Sequence, residues 1–178
     1  MHFDAVALAV VEGLVAELVE IEVGAELAVD AGQEVEIELR GYAGGVIIGV
    51  DVIKDAKILN AAYDDAAGVT AKFNLNLLAR INRELGADFD LSAFSHEAFY
   101  NAERRRIEMH LASRRRQKVR VAGRAIDFRA GETIHTENSY KYTIESFGAL
   151  ARGAGWTQAA VWTDDKGYFS VQALVVAP

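Results

Sequence analysis

A nine-residue run, GGVIIGVDV at positions 44–52, constrains the fold of this chain more than any other stretch. It is continuously apolar up to Asp51, which does not suit a strand with one face in water. It predicts an interior strand of a sheet. The segments before it are read as companions. Residues 4–20 are rich in Ala, Val and Leu, with Asp4 placed to cap their start, and predict a soluble helix packed on that sheet. The stretch AELAVDAGQEVEIELR then alternates and reads as strand.

After the run, Val69, Phe73, Leu77, Leu78, Ile81 and Leu85 recur at helical spacing, and Gly86 is a natural stop. Residues 95–143 are strand-like and predict a small antiparallel sheet, with VAGRA and RAGET supplying turns. IESFGALARGAGW predicts a helix ending at Gly153 or Gly155. A closing hairpin follows around Asp165, Lys166 and Gly167, with Phe169, Val171, Ala173 and Val175 on one face. The only proline is the terminal Pro178, and no linker is visible.

Composition narrows the function. A chain of 178 residues is one domain, or a domain with a sizeable lobe. Its net charge of −7 argues against a general nucleic-acid partner. The absence of cysteine removes disulfides, thiolate metal sites and cysteine nucleophiles together, and fits a reducing cytoplasm. The apolar start lacks a basic leader and is interrupted by Asp4, Glu12, Glu17 and Glu20, so neither a signal peptide nor a membrane role is expected. By contrast ERRRIEMHLASRRRQKVR is densely basic. It reads either as an anion-binding face or as a solvated hairpin pairing with acidic surface.

The stretch GETIHTENSYKYT, residues 131–143, carries the candidate chemistry. Glu137 and Ser139 are two apart on a strand and share one face. That face could bind a ligand, or be the wet side of a sheet with Glu137 paired to Lys141 or to an arginine of the basic hairpin. His135 and Glu137 form an H-x-E, but the zinc deaminases with that motif need a C-x-x-C. The four histidines (His2, His96, His110 and His135) show no ligand spacing, so no metal site is expected. There is no G-x-S-x-G and no Walker A motif. No catalytic residue stands out.

Five motifs in order then carry a resemblance: GVDVIKD, AAYDDAAGVTAKFNLNLLARINRELGADFDL, RRIEMHL, GETIHTENSYKY and VWTDDKGYFSV. From about Gly49 onward the chain resembles the C-terminal portion of the histidine-specific, S-adenosylmethionine-dependent N-alpha-methyltransferases of ergothioneine biosynthesis. The resemblance implies an α/β fold: a partial class I methyltransferase-like sheet with an inserted α+β substrate-binding lobe. Residues 46–65 and 143–178 would be the sheet remnant, 66–142 the lobe, and 1–45 a helix-and-strand segment in place of the cofactor-binding half. It also implies a site. Glu137 and Ser139 match the pair that holds the substrate imidazole, and Tyr63 matches the tyrosine at the substrate carboxylate. Thr70 and Met109 match residues lining the pocket near the ring, and Phe73 an aromatic on the amine or cofactor side. Read without the resemblance, Met109 between Ile107 and Leu111 is a core residue, and Tyr63 an ordinary helix-end tyrosine.

The family's cofactor is S-adenosylmethionine, and its partner is histidine or a related imidazole. Class I enzymes seat the cofactor on a glycine-rich turn after the first strand. No E-x-G-x-G-type turn precedes GVDVIKD here, and no loop resembling GSTIGN is present. These departures argue against cofactor binding and independent turnover by this chain. A second expectation stands beside the first: a designed or chimeric folded scaffold with no catalytic activity. In either case the helix of residues 4–20 would cover one sheet face and EVEIELR would pair at the exposed edge. Incomplete cover would favour a homodimer through that edge.

Overall fold

The computed structural model describes residues 44–176 in full, together with the strand backbones of residues 6–10, 19–21, 26–29 and 33–36. The strands are, in chain order, β1 (Val6–Val10), β2 (Val19–Ile21), β3 (Glu26–Val29), β4 (Gln33–Glu36) and β5 (Gly45–Asp51). Helices α1 (Ala56–Tyr63) and α2 (Val69–Leu85) follow. Next come β6 (Phe94–Asn101), β7 (Arg106–Ser113), β8 (Gln117–Val121), β9 (Arg124–Phe128) and β10 (Thr133–Tyr140). Helix α3 (Ile144–Gly153), β11 (Trp156–Thr163) and β12 (Phe169–Val176) complete the chain. The class is mixed α/β. Two compact units divide it: residues 1–53 with 141–178, and residues 54–140.

The first unit is built on a five-stranded sheet of order β11-β12-β5-β1-β2. The apolar run is its middle strand, parallel to β1 and antiparallel to β12. Helix α3 starts with a reciprocal cap between Thr143 and Ser146 and lays Phe147 and Ala151 on Val50 and Leu174. Beside this patch the half-buried Gln158 donates to the buried Gln172, Gln172 to the buried Ser170, and Ser170 to the Val50 carbonyl. Such a row is tolerated in a core because its members satisfy one another.

At Gly49 the Phe169 ring lies close over the backbone. A β-carbon built there would lie 2.6 Å from Cζ of Phe169. Gly49→Ala is therefore expected to displace the Phe169 ring and cost about 1–3 kcal/mol, as overpacking does. A urea-unfolding midpoint unchanged from the parent protein would contradict this. At the end of β5 the chain passes between the two units. There Tyr142 bridges Val52, and Ile53 N–H donates to the Tyr142 carbonyl at 2.9 Å. Asp51 and Lys141 form a buried ion pair, Nζ to Oδ2 at 2.6 Å.

Two expectations for the N-terminal segment are corrected. Residues 6–10 and 19–21 are strands rather than parts of a helix. β1 pairs in parallel with β5 from Val6 opposite Gly45 to Val10 opposite Gly49. The physical reason is that β5 offers an unmatched ladder, and a VALAV stretch with two β-branched valines suits a strand at least as well as a helix. Residues 4, 5 and 11–18 of the expected helix lie outside the described residues. EVEIELR does not pair at the edge of this sheet either: β4 pairs with β3 in a separate two-stranded ribbon, and residues 37–40 lie outside the described residues.

The second unit packs α1 and α2 on one face of a three-stranded antiparallel sheet of order β10-β7-β6, with the β8-β9 hairpin beside it. Its larger core joins Leu78 of α2 to Phe89, Ala93, Phe94, Leu111, Val119 and Phe128. Helix α2 stops at Gly86, whose φ of 60° is the left-handed conformation that glycine adopts without strain. Asn82 then holds the returning chain by bonding both N–H and C=O of Phe89 at 2.8 Å.

The unit runs from Lys54 to Tyr140 and so takes in helix α1 as well as the 66–140 segment. In helix α1, Leu59 and Tyr63 pack with Ile107 and Met109, which ties the helix to β7. The apolar spacing in α2 meets the core only in part: Leu78 is buried in it and Ile81 packs against it. Asn74 and Leu78 are its buried residues, while Val69, Phe73, Leu77 and Leu85 are exposed. Among the described residues no helix is long and apolar enough to cross a membrane.

Candidate functional site

Tyr63 is the last residue of α1, held at both its backbone and its hydroxyl. Its backbone carbonyl accepts from Nε2 of His96 at 2.8 Å. Asn74 Nδ2 donates to the other ring nitrogen of His96 at 2.9 Å and to the His110 carbonyl at 3.0 Å. A carbonyl can only accept, so Asn74 presents its NH₂ and His96 carries its proton on Nε2. The Tyr63 hydroxyl, thus anchored, lies 2.7 Å from Oγ of Ser139.

Strand β10 brings the rest. Ser139 is opposite Ile107 and Glu137 is opposite Met109, so all four share the sheet face on which α1 packs. A bulge between His135 and Glu137 makes this possible, with Thr136 as the extra residue and its hydroxyl bonded to the Met109 carbonyl at 3.0 Å. In a regular strand His135 and Glu137 would share a face; the bulge sends His135 to the opposite one. Met109 and Ser139 are buried, and Glu137 is half-buried. Among the described residues no partner engages the Glu137 carboxylate. Lys141, which the sequence offered as a partner for Glu137, forms an ion pair with Asp51.

Thr70 and Phe73 stand in the first two turns of α2, after the loop that follows Tyr63. That loop is held by Asp65, whose carboxylate accepts from the backbone N–H groups of Val69 and Thr70 at 2.9 and 2.8 Å. These bonds, the one from Thr70 foremost, bring the Asp65 carboxyl down to about 2. Thr70 is half-buried and Phe73 exposed. The fold thus gathers Tyr63, Met109, Glu137 and Ser139 into one cluster, with Thr70 and Phe73 on the neighbouring helix.

The other face of the same sheet carries polar groups. Arg106 donates through Nε and Nη2 to Oε1 of Glu108 at 2.9 and 2.7 Å, and through Nη1 to the Tyr140 hydroxyl. The Arg106 guanidinium holds the Glu108 carboxyl below the usual carboxylate range despite its burial. His110 stacks on His135, with ring centroids 4.4 Å apart.

Residues 27–176 match the family model described as histidine-specific methyltransferase, SAM-dependent. The chain belongs to this family. A histidine N-alpha-methyltransferase of Mycolicibacterium smegmatis is 49% identical over 132 residues, which is 73% of this chain and 41% of that protein. One from Mycobacterium tuberculosis is 48% identical over 128 residues, 71% of this chain and 40% of the relative. Ergothioneine biosynthesis protein 1 of Neurospora crassa is 31% identical over 137 residues, 69% of this chain and 14% of that protein. The chain spans about two fifths of the length of the bacterial relatives.

For a chain of this family, sequence reasoning passed over two groups. Asn74 and His96 position Tyr63, and a signal existed: Asn74 is a polar residue one position from an apolar helical stripe, where a buried amide needs partners. Glu108, His110 and His135 had no such signal, because His110 and His135 meet only through the pairing of β7 with β10.

Proposed function

We propose that the described residues form the histidine-recognising part of a histidine N-alpha-methyltransferase. The observation that carries this reading is the half-buried Glu137 carboxylate, without a partner among the described residues, beside the Tyr63–Ser139 hydrogen bond. A neutral imidazole presents one N–H and one acceptor nitrogen. Glu137 takes the N–H, Ser139 addresses the second nitrogen, and the Met109 thioether lies against the ring. Tyr63 sets the serine and stands toward the substrate carboxylate, while Thr70 and Phe73 line the approach from α2.

The family's cofactor fits these residues poorly. In open α/β sheets ligands sit beyond the carboxyl ends of the strands, with an acidic side chain on the ribose hydroxyls. At the end of β5 the acidic residue is Asp51, and its carboxylate is buried against Lys141. Among the described residues no glycine-rich turn leads from a strand into a helix. The proposed activity of these residues therefore ends at recognition of the methyl acceptor.

Isothermal titration with L-histidine tests the reading. Saturable binding is expected, and Glu137→Ala should weaken it roughly 10- to 100-fold, since a hydrogen bond to a charged group contributes about 1.5–3 kcal/mol. Equal affinity in that variant would remove Glu137 from the site. No heat from the parent protein would favour the other expectation, a folded scaffold with no catalytic activity.

A further inference from the structure

The face of the β10-β7-β6 sheet opposite α1 holds a cluster that histidine recognition leaves unused. Glu97, His110 and His135 form one row across the three strands, each directly opposite its neighbour. Glu108 lies two residues before His110, hence on the same face. The His110 ring is clamped between Phe99 and His135, stacked at centroid distances of 5.5 and 4.4 Å. Both of its ring nitrogens are buried, and neither has a hydrogen-bond partner. A buried polar group left so is costly and calls for an explanation. Oε2 of Glu108 lies 3.6 Å from His110 Nε2, too far for a hydrogen bond. The other oxygen of Glu108 is fixed by Arg106 and by Asn101 Nδ2 at 3.1 Å.

We propose that Glu108, His110 and His135 form a binding site for a divalent transition-metal ion of the zinc class. The ligating atoms of the three already lie within 4.8 Å of one another. Two ligands about 2.0–2.1 Å from a tetrahedral ion are roughly 3.4 Å apart, close to the separation of Oε2 and the His110 nitrogen. Two imidazoles and a carboxylate suit zinc, cobalt or nickel, whereas magnesium and calcium take oxygen ligands. The contacts of Arg106 and Asn101 to Oε1 are the kind that orient a ligating carboxylate. His135 is exposed, and one bond links its ring to the Glu137 carbonyl, at 3.1 Å. A nitrogen lone pair lies in the ring plane, so coordination requires this ring to turn out of its stack, a rotamer change open to an exposed side chain. Glu97, exposed and in register beside His110, offers a fourth ligand; water serves otherwise.

The experiment uses the full chain, stripped with a chelator and desalted, then titrated with Co²⁺ and followed by ligand-field absorption. One ion per chain is expected, with a visible band that Zn²⁺ abolishes. His135→Ala changes an exposed residue and should leave the circular dichroism unaltered while weakening binding at least ~100-fold, more than the loss of an outer partner does. His2→Ala should bind as the parent does. Added zinc should raise the thermal midpoint of the parent protein but not of His135→Ala. The proposal is overturned by a parent protein that gives no band with Co²⁺. It is equally overturned by undiminished binding in His135→Ala, or by binding that His2→Ala removes.

Discussion

Replacing Lys141 by methionine should destabilise the protein by about 3–5 kcal/mol, because it breaks the buried ion pair with Asp51 by removing one partner. The Lys141 side chain is 0% exposed, and its ammonium lies 2.6 Å from Asp51, so the pair is closed off from water. Methionine keeps most of the lysine stem's packing, which confines the change to the charge. Adding Asp51→Leu to that variant should restore much of the loss, since a buried pair replaced whole by apolar groups is often neutral or better. Denaturant midpoints of the two single variants and the double one decide the matter. A Lys141→Met protein within about 1 kcal/mol of the parent would show that the pair is solvated, as exposed pairs are.

The second large effect belongs to Phe94. It is 1% exposed and meets two rings edge-on, Phe89 at 5.7 Å and Phe128 at 5.4 Å. Phe94→Ala removes the ring and leaves a cavity between β6, the β8-β9 hairpin and α2, for which about 3–5 kcal/mol is expected. Hydrogen exchange should place the lost protection in those elements. Leu111 and Leu78, both 0% exposed in the same cluster, line the cavity and limit how far it can collapse. A stability within about 1 kcal/mol of the parent would mean that the three phenylalanines do not form one packed unit.

These two sites also differ in how far the sequence announced them. The apolar run at β5, the helical spacing that ends at Gly86, the turns at Gly123 and Gly131 and the closing hairpin are local patterns, and each appears where the spacing places it. The family was legible for a related reason: its motifs are contiguous and keep their order. Residues 6–10 misled because valine and alanine alternate there too evenly for periodicity to choose between helix and strand. The parallel partner β5 decided the matter, and no window around residue 8 contains it. Val69, Phe73 and Leu77 misled in another way. They define an apolar stripe, yet the helix turns Asn74 and Leu78 inward, because Asn74 is needed to reach His96 and the His110 carbonyl.

The candidate site shows the same division at closer range. Alternation alone placed Glu137 and Ser139 on one face, and they share it. It could not say which way that face looks, nor that His135 leaves it. A strand's side-chain period is two, so a single extra residue inverts everything on one side of it. Thr136 is that residue, and only the register of β10 against β7 reveals it. The bulge sends Glu137 toward Met109 and Tyr63, and His135 toward His110 and Glu108. Local patterns in the chain thus settle which residues alternate; pairing across strands settles which of them meet.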